Sequence, residues 1–136
     1  MICSASPLMN LLLDSNTVVW FLEGAPELSD TAASLIESLE SRSMVSSVTS
    51  WELAVKTGLG KLRLPYSLDE EFDSALESIG FELLPLSKAA LERTTRLPGH
   101  HRDPFDRLLV AEAMELSAAL VSPNEIFDHY GVKRIW

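Results

Sequence analysis

The sequence predicts an α/β domain in which a mostly parallel sheet is covered by helices on both faces. Short apolar runs alternate along the chain with segments of helical periodicity, which is the pattern of strand–helix–strand units. The chain has 136 residues, enough for one domain with a core of its own. Hydrophobic residues make up 46% of it and charged residues 23%, as is usual for a globular protein in water.

The first half of the chain contains two predicted strands and three predicted helices. Gly24 and Pro26 end the first helix, Ser29 or Asp30 caps the second, and Thr49 begins the third. In chain order, the predicted elements are a strand at 10–13, a helix at 15–22, a helix after residue 29 or 30, a strand at 44–48 and a helix at 49–57.

The second half continues the same alternation. Pro65 interrupts the chain after the third helix, and Pro104 stands at the first position of a long helix, where its missing N–H costs nothing. The predicted elements are a helix at 68–78, a strand at 81–84, a helix at 87–96, a loop at 97–101, a helix at 104–117, a strand at 119–121, a turn or short helix at 124–129 and a strand at 132–136. Residues 1–8 are predicted to be a flexible extension, and 9–136 a single domain.

Charge and cysteine content narrow the function classes. With 20 acidic and 11 basic side chains, the formal net charge is −9, which argues against a general nucleic-acid coat because such proteins bind through Lys and Arg. The single cysteine, Cys3, excludes a disulfide framework and fits a reducing compartment. No apolar run approaches the roughly 20 residues that span a bilayer. We therefore expect a cytoplasmic protein without membrane contact.

Acidic residues follow apolar runs or begin helices at three separate places. Asp14 follows the first strand, Glu52 lies one turn into the third helix, and Asp103 and Asp106 begin the long helix. Asn124 follows the strand at 119–121. In a parallel α/β sheet these positions share the edge where strands end, so we expect one cleft that holds them all. Carboxylates without cysteine or paired histidine suit a hard divalent cation, which commonly serves phosphoryl chemistry.

Each acid also has a purely structural interpretation. Asp14 and Asp103 are suitable N-caps, and Thr49 with Glu52 matches the S/T-x-x-E capping box. Asp106 completes a similar pattern with Asp103. Taken singly, each acid is better explained as a cap. Their convergence at one edge favours a metal site, because like charges so placed repel each other unless a cation neutralises them.

The histidines, the basic residues and the aromatic residues carry weaker predictions. His100 and His101 are expected to be structural or to contact substrate near the mouth of the cleft. Basic side chains near the acids are either ordinary surface charge or a group that holds a phosphate backbone: Lys56, Lys61, Arg63, Arg102 and Arg107. Arg107 has the further alternative of pairing with an acid. Four aromatic residues are predicted to lie in the core or an interface: Trp20, Phe21, Trp51 and Trp136.

Several segments together resemble the PIN domain, specifically the VapC toxins of bacterial toxin–antitoxin systems. The resemblance extends from about residue 9 to residue 136. Its most specific part is Leu-Pro-Gly-His-His-Arg-Asp-Pro-Phe-Asp-Arg-Leu-Leu-Val-Ala at 97–111. Other matching segments are Leu-Asp at 13–14, Ser-Trp-Glu-Leu-Ala-Val-Lys at 50–56, Gly-Lys-Leu at 60–62 and Gly-Phe-Glu-Leu-Leu-Pro-Leu at 80–86.

The resemblance implies a three-layer α/β/α domain and a Mg²⁺- or Mn²⁺-dependent endoribonuclease that dimerises and is silenced by a cognate antitoxin. Carried over by position, the catalytic and metal-binding acids are Asp14, Glu52 and either Asp103 or Asp106; we retain both aspartates. As further substrate-orienting residues we consider Ser15 and Ser47, together with Asn124, Arg102 and Arg107.

One position departs from the family pattern. Members often carry Asp where this sequence has Asn124, and the change removes one negative charge while leaving a carbonyl oxygen. It puts two-metal catalysis in doubt and leaves an alternative function open. In that alternative, the chain is a catalytically weak module of the same fold that binds antitoxin or RNA without cleaving it.

Overall fold

Five strands form one parallel sheet in the order β3-β2-β1-β4-β5. The computed structural model describes residues 9–136, so the extension predicted at 1–8 lies outside the described residues. In chain order the elements are β1 (Met9–Leu13), α1 (Ser15–Glu23), α2 (Asp30–Glu37), β2 (Ser41–Ser46), α3 (Ser47–Gly58), α4 (Glu70–Ser78), β3 (Glu82–Leu84), α5 (Lys88–Thr94), α6 (Pro104–Leu116), β4 (Ala119–Val121), a 3-10 helix (Glu125–Tyr130) and β5 (Arg134–Ile135).

Apolar side chains lie on both faces of the sheet, which confirms the three-layer prediction. Along β1, Leu11 and Leu13 face one core and Leu12 faces the other, as the alternation of side chains in a strand requires. The first core receives side chains from α1, α2 and α4, including Phe72. The second receives side chains from α6 and the 3-10 helix, including Phe127. Because β1 is central and covered on both sides, its whole run is apolar.

Helix α2 begins at its predicted cap, whereas α3 begins earlier than predicted, which matters for the site. The Oγ atom of Ser29 accepts a hydrogen bond from the backbone of Ala32 at 3.1 Å, which caps α2 as predicted. Helix α3 begins at Ser47 rather than Thr49, because Ser46 Oγ accepts from Val48 N at 3.0 Å. The predicted strand at 44–48 therefore ends at Ser46.

Three of the four predicted core or interface aromatic residues are partly buried. The rings of Trp20 and Trp136 pack 5.8 Å apart, and Phe21 packs 5.4 Å from Phe81. Trp51 is 52% exposed and meets Phe105 edge-on at 4.6 Å, so its placement in the core is wrong and only the interface interpretation remains.

No helix within residues 9–136 is both long enough and apolar enough to cross a membrane.

Candidate metal centre

Four carboxylates line one cavity at the edge of the sheet where the parallel strands end. They belong to Asp14, Glu52, Asp103 and Asp106, and the cavity has a volume of about 340 Å³. Asn124 lies on the same wall. The convergence expected from the alternation of strands and helices is therefore present, although these residues are as far apart in sequence as 14 and 124.

Asp14 both caps a helix and lines the cavity. Its Oδ1 atom accepts a hydrogen bond from Thr17 N at 2.8 Å, which is the N-cap bond of α1. Only 8% of the residue is exposed. Burial raises the pKa of Asp14, and the nearby charge of Glu52 acts in the same direction. The cap and the site are thus not competing explanations for this residue.

Glu52 is directed into the cavity because α3 begins before Thr49. The predicted capping box does not form: Thr49 Oγ1 lies 3.5 Å from the carbonyl oxygen of Leu13, and Glu52 is in the second turn of the helix. Its carboxylate accepts a hydrogen bond from Ser15 Oγ at 2.9 Å and pairs with Lys56 Nζ at 3.1 Å. The ion pair joins residues four apart on one helix face.

Asp103 and Asp106 form the densest group of ligand atoms in the cavity. Asp103 caps α6 by accepting from Phe105 N at 2.8 Å and from Asp106 N at 3.3 Å. The Oδ2 atom of Asp106 lies 2.7 Å from Nε2 of His101. Within residues 9–136, these three are the one group whose ligand atoms all lie within 4.8 Å of one another.

The pKa of Asp106 reflects its burial first and the neighbouring negative charges second. Burial raises the pKa of Asp106 to about 6, and the charges of Asp103 and Glu52 add to the rise. The hydrogen bond from His101 opposes it only in part. At neutral pH the carboxylate is ionised although its surroundings disfavour the charge. A bound cation would offset this free-energy cost.

Two of the proposed substrate-orienting residues lie on the cavity wall and three lie elsewhere. Ser15 and Asn124 line the cavity, although Asn124 Oδ1 also accepts from Ile126 N at 3.2 Å. Ser47 lies in a neighbouring cavity, where its hydroxyl donates to the carbonyl of Leu84 at 2.9 Å. Arg102 is exposed and forms no ion pair with any residue between 9 and 136.

Arg107 supports the loop that carries His101 instead of facing the cavity. Its guanidinium donates to the carbonyls of Pro98 at 2.8 Å and Thr94 at 2.9 Å, with longer bonds to those of Leu97 and His101. Carbonyls at the end of α5 have no partner within the helix, and the planar donor fork of arginine can satisfy several of them together. This structural role differs from the substrate-orienting role and the acid pairing expected from the sequence.

Sequence reasoning missed two contacts in the cavity. His101 was expected only near its mouth, yet it bonds directly to Asp106. For Lys56 the sequence predicts either surface charge or a phosphate contact; its ion pair with Glu52 is in neither prediction, although their spacing of four residues is a usable signal. His100 instead packs edge-on against Tyr130 with ring centres 5.2 Å apart, which is a structural contact.

The donor set suits a hard divalent cation. Carboxylate oxygens with one amide carbonyl are the ligands that Mg²⁺ and Mn²⁺ take, and Mg²⁺ usually keeps several waters alongside one or two carboxylates. Asp103 and Asp106 would contact such an ion directly, while Asp14 and Glu52, which lie farther away, would hold its waters. Burial is the main cause of the raised pKa values of Asp14 and Asp106, nearby carboxylates add to both, and a bound cation would lower them.

Comparison with solved structures shows the same fold in several bacterial complexes. One chain of VapBC2 from Rickettsia felis, bound to a DNA fragment from its promoter, matches with a TM-score of 0.66 and 19% identity, covering 93% of this chain and 98% of that one. VapBC from Salmonella typhimurium, bound to DNA, matches with a TM-score of 0.64 and 20% identity over 94% and 98%. FitAcB from Neisseria gonorrhoeae matches with a TM-score of 0.64 and 21% identity over 93% and 96%.

Comparison at the level of sequence gives the family. A search of curated protein sequences found no match. The family model described as the PIN domain matches residues 11–133, which include all four carboxylates of the cavity. Because this model matches most of the chain, the chain belongs to the PIN domain family, whose members are nucleases.

Proposed function

We propose that this protein is a divalent-metal-dependent endoribonuclease and the toxin of a VapC-type toxin–antitoxin pair. The observation that carries the proposal is the convergence of Asp14, Glu52, Asp103 and Asp106 on one cavity at the end of a parallel sheet. Family membership supports a nuclease. The Asp-Pro-Phe-Asp sequence at 103–106 supports the VapC assignment, as does the fold shared with the VapBC complexes.

Each side chain has a distinct part in the proposed reaction. Asp103 and Asp106 would hold Mg²⁺ or Mn²⁺, with Asp14 and Glu52 binding waters across the cavity. When bound, the cation lowers the pKa of a water and neutralises charge on the phosphate during hydrolysis. Ser15 holds Glu52 through its 2.9 Å hydrogen bond, and His101 holds Asp106. Lys56 would exchange its ion pair with Glu52 for contact with the RNA phosphate.

Cleavage of purified total bacterial RNA tests the proposal. We expect discrete new 5′ ends in the presence of Mg²⁺ or Mn²⁺ and none after addition of EDTA, because four carboxylates without a cation repel a phosphodiester. Mapping the ends would also identify the target RNA. Absence of EDTA-sensitive cuts, from folded protein free of any bound partner, would overturn the proposal.

An antitoxin encoded alongside the gene is part of the same proposal. Its motivation is that the matched chains from Rickettsia felis and Salmonella typhimurium come from VapBC complexes. The acid cavity would accept a basic side chain of the antitoxin in place of the cation. Induced expression of this chain alone should arrest growth of a bacterial host, and coexpression of the adjacent gene should relieve the arrest. Growth arrest that coexpression does not relieve would argue against this partner.

We also propose a cytoplasmic location, because the protein would encounter both RNA and antitoxin there.

A second copy of the chain is the partner we propose for an apolar stripe on α3. Trp51 and Val55 on α3 and Leu59 at its C-cap follow one another at a spacing of four residues and are 52%, 37% and 64% exposed. Phe105 extends the stripe from the start of α6. Contiguous exposed apolar surface of this kind marks interaction sites in soluble proteins. A homodimer through this face would lie beside Glu52 and Asp106, next to the site.

Replacing Val55 with lysine is expected to convert the dimer to a monomer. The charge would be buried without a partner at the centre of the stripe, a cost of several kcal/mol. Size-exclusion chromatography with light scattering should change from twice the 15.0 kDa chain mass to the chain mass. Leu39→Lys is the matched control, because Leu39 is fully exposed and lies away from the stripe. A wild-type protein that measures as a monomer at micromolar concentration would contradict the dimer.

The alternative is a catalytically weak module that binds antitoxin or RNA. Asn124 favours it because the cavity lacks the negative charge that Asp would supply at this position. The net charge of −9 favours it because an acidic protein binds RNA weakly. Mn²⁺ binding measured by calorimetry, taken together with RNA cleavage, separates the two functions, because a nuclease requires the cation and a pure binder does not. RNA that stays intact although Mn²⁺ is bound would favour the module, and restoring Asp at position 124 would then be the next step.

A further inference from the structure

A second cavity of about 300 Å³ adjoins the acid cavity and is bounded on one side by α1. Asn16, Val19, Trp20 and Glu23 line it from α1, at the spacing of one helix face. Leu53 and Lys56 line it from α3, and the segment after α3 closes it with Lys61 and Leu62. Asn16 and Lys56 also line the acid cavity, so the two cavities are adjacent and share these two residues as a boundary.

The lining combines an apolar floor with cationic side chains. Val19 and Leu53 are buried and form the floor, while Trp20 is partly exposed at the wall. Lys61 is exposed and forms no ion pair with any residue of the described range 9–136. Glu23 is the one acid on this lining. Lys61 and Trp20 thus place a positive charge and an aromatic ring on the same lining.

We infer that this groove binds the nucleotide next to the scissile phosphate of a single-stranded RNA. A base fits an apolar floor with an aromatic wall, and a phosphate fits a lysine at the rim. The lining along α1 from Asn16 to Glu23 extends for about 10 Å, given the rise of 1.5 Å per residue. Because Asn16 and Lys56 line both cavities, an RNA strand whose phosphate lies at the carboxylates would place its next nucleotide beside the groove.

RNA explains the lining better than an apolar protein segment does. Insertion of an apolar side chain would use Val19, Trp20 and Leu53 but would give Lys61 no partner. A nucleotide uses both parts of the lining at once. The inference rests on the proposed nuclease function, because the adjoining acid cavity is what assigns a phosphodiester to this edge of the molecule.

Replacing Lys61 with glutamine tests the groove in the Asp14→Asn background, in which a bound RNA would stay intact. Fluorescence anisotropy with a labelled single-stranded oligoribonucleotide at several salt concentrations is the measurement. Loss of one phosphate contact should lower affinity several-fold and reduce the slope of log affinity against log salt by about 0.7. Lys88→Gln is the matched control, since Lys88 is exposed on α5 and outside the groove, and it should change neither quantity.

A second variant probes the apolar part of the groove. Trp20→Leu should raise KM for cleavage several-fold with little change in kcat, because it removes a surface on which a base stacks and that surface lies away from the reacting bond. Circular dichroism would verify that the packing against Trp136 tolerates the change. If Trp20→Leu does not fold, the Lys61 result decides alone.

The outcomes separate the groove from the function. EDTA-sensitive cleavage by the wild type, with affinity and salt slope unchanged in Lys61→Gln, would overturn the groove and leave the nuclease intact. Weakened binding of the antitoxin by Lys61→Gln, with RNA binding unchanged, would assign the groove to the protein partner and also overturn the inference. No cleavage by the wild type would remove the proposed function and the groove together.

Discussion

Replacing Asp14 with asparagine is expected to lower metal-dependent RNA cleavage by about 100-fold or more while leaving the fold intact. Residues that only support a metal ligand already contribute roughly 10–100-fold, and Asp14 lines the cavity itself. Asparagine keeps an oxygen for the cap bond from Thr17, so α1 should still begin at Ser15. The change removes a negative charge at a site where burial already disfavours it.

Single-turnover cleavage of the mapped RNA, alongside thermal melting, measures both parts of this expectation. Asp30→Asn is the matched control, because Asp30 is an exposed aspartate in the first turn of α2 and lies outside the cavity. It undergoes the same chemical change and should keep wild-type activity. Equal cleavage by the Asp14 variant and the control would remove Asp14 from the proposed site.

The second large effect concerns Asp106, whose replacement by asparagine is expected to stabilise the protein at pH 7.5 in the absence of divalent cation. The pKa of Asp106 is about 6 in the folded protein and about 3.9 in an unfolded chain. Between these values the folded state binds more protons, so wild-type stability falls as pH rises from about 4 to about 6. Above about pH 6 the wild type has lost the full amount of folding free energy linked to Asp106, on the order of 2–3 kcal/mol. The asparagine variant lacks this loss, and the difference should vanish near pH 4.

In the presence of divalent cation, the wild type should become more stable than the Asp106→Asn variant. At about 100 times its Kd, Mn²⁺ stabilises the folded state by roughly 2.7 kcal/mol, and the variant should gain much less because it has lost a ligand. Urea unfolding at pH 4, 5.5 and 7.5, with and without Mn²⁺, makes the comparison. Asp128→Asn is a control of opposite sign, since the hydrogen bonds of Asp128 with Arg134 lower its pKa. Lower stability of the Asp106 variant at pH 7.5 without cation would contradict the predicted cost of ionising Asp106 in its buried position.

The local sequence was sufficient to predict most elements and several caps. Asp14, Ser29 and Asp103 each accept a backbone hydrogen bond from a residue two or three positions ahead, so their role depends on their immediate neighbours alone. The start of α3 was missed by two residues because Ser46 and Thr49 are both suitable caps. The position of this start matters, because it determines whether Glu52 bonds to the first turn of its own helix or faces the cavity.

By itself, the sequence determined the α/β class, the family and the four acids expected at one edge, because alternating patterns and parallel strands constrain where loops meet. Only the tertiary structure decided which partners those acids have. The bond between Ser15 and Glu52 joins residues 37 positions apart, and the exposure of Trp51 depends on what packs over α3. Arg107 donates to the carbonyl of Thr94 at the end of α5 and to that of Pro98 in the loop that follows. Such contacts depend on how helices pack over the ordered strands, and no local pattern in the chain records that arrangement.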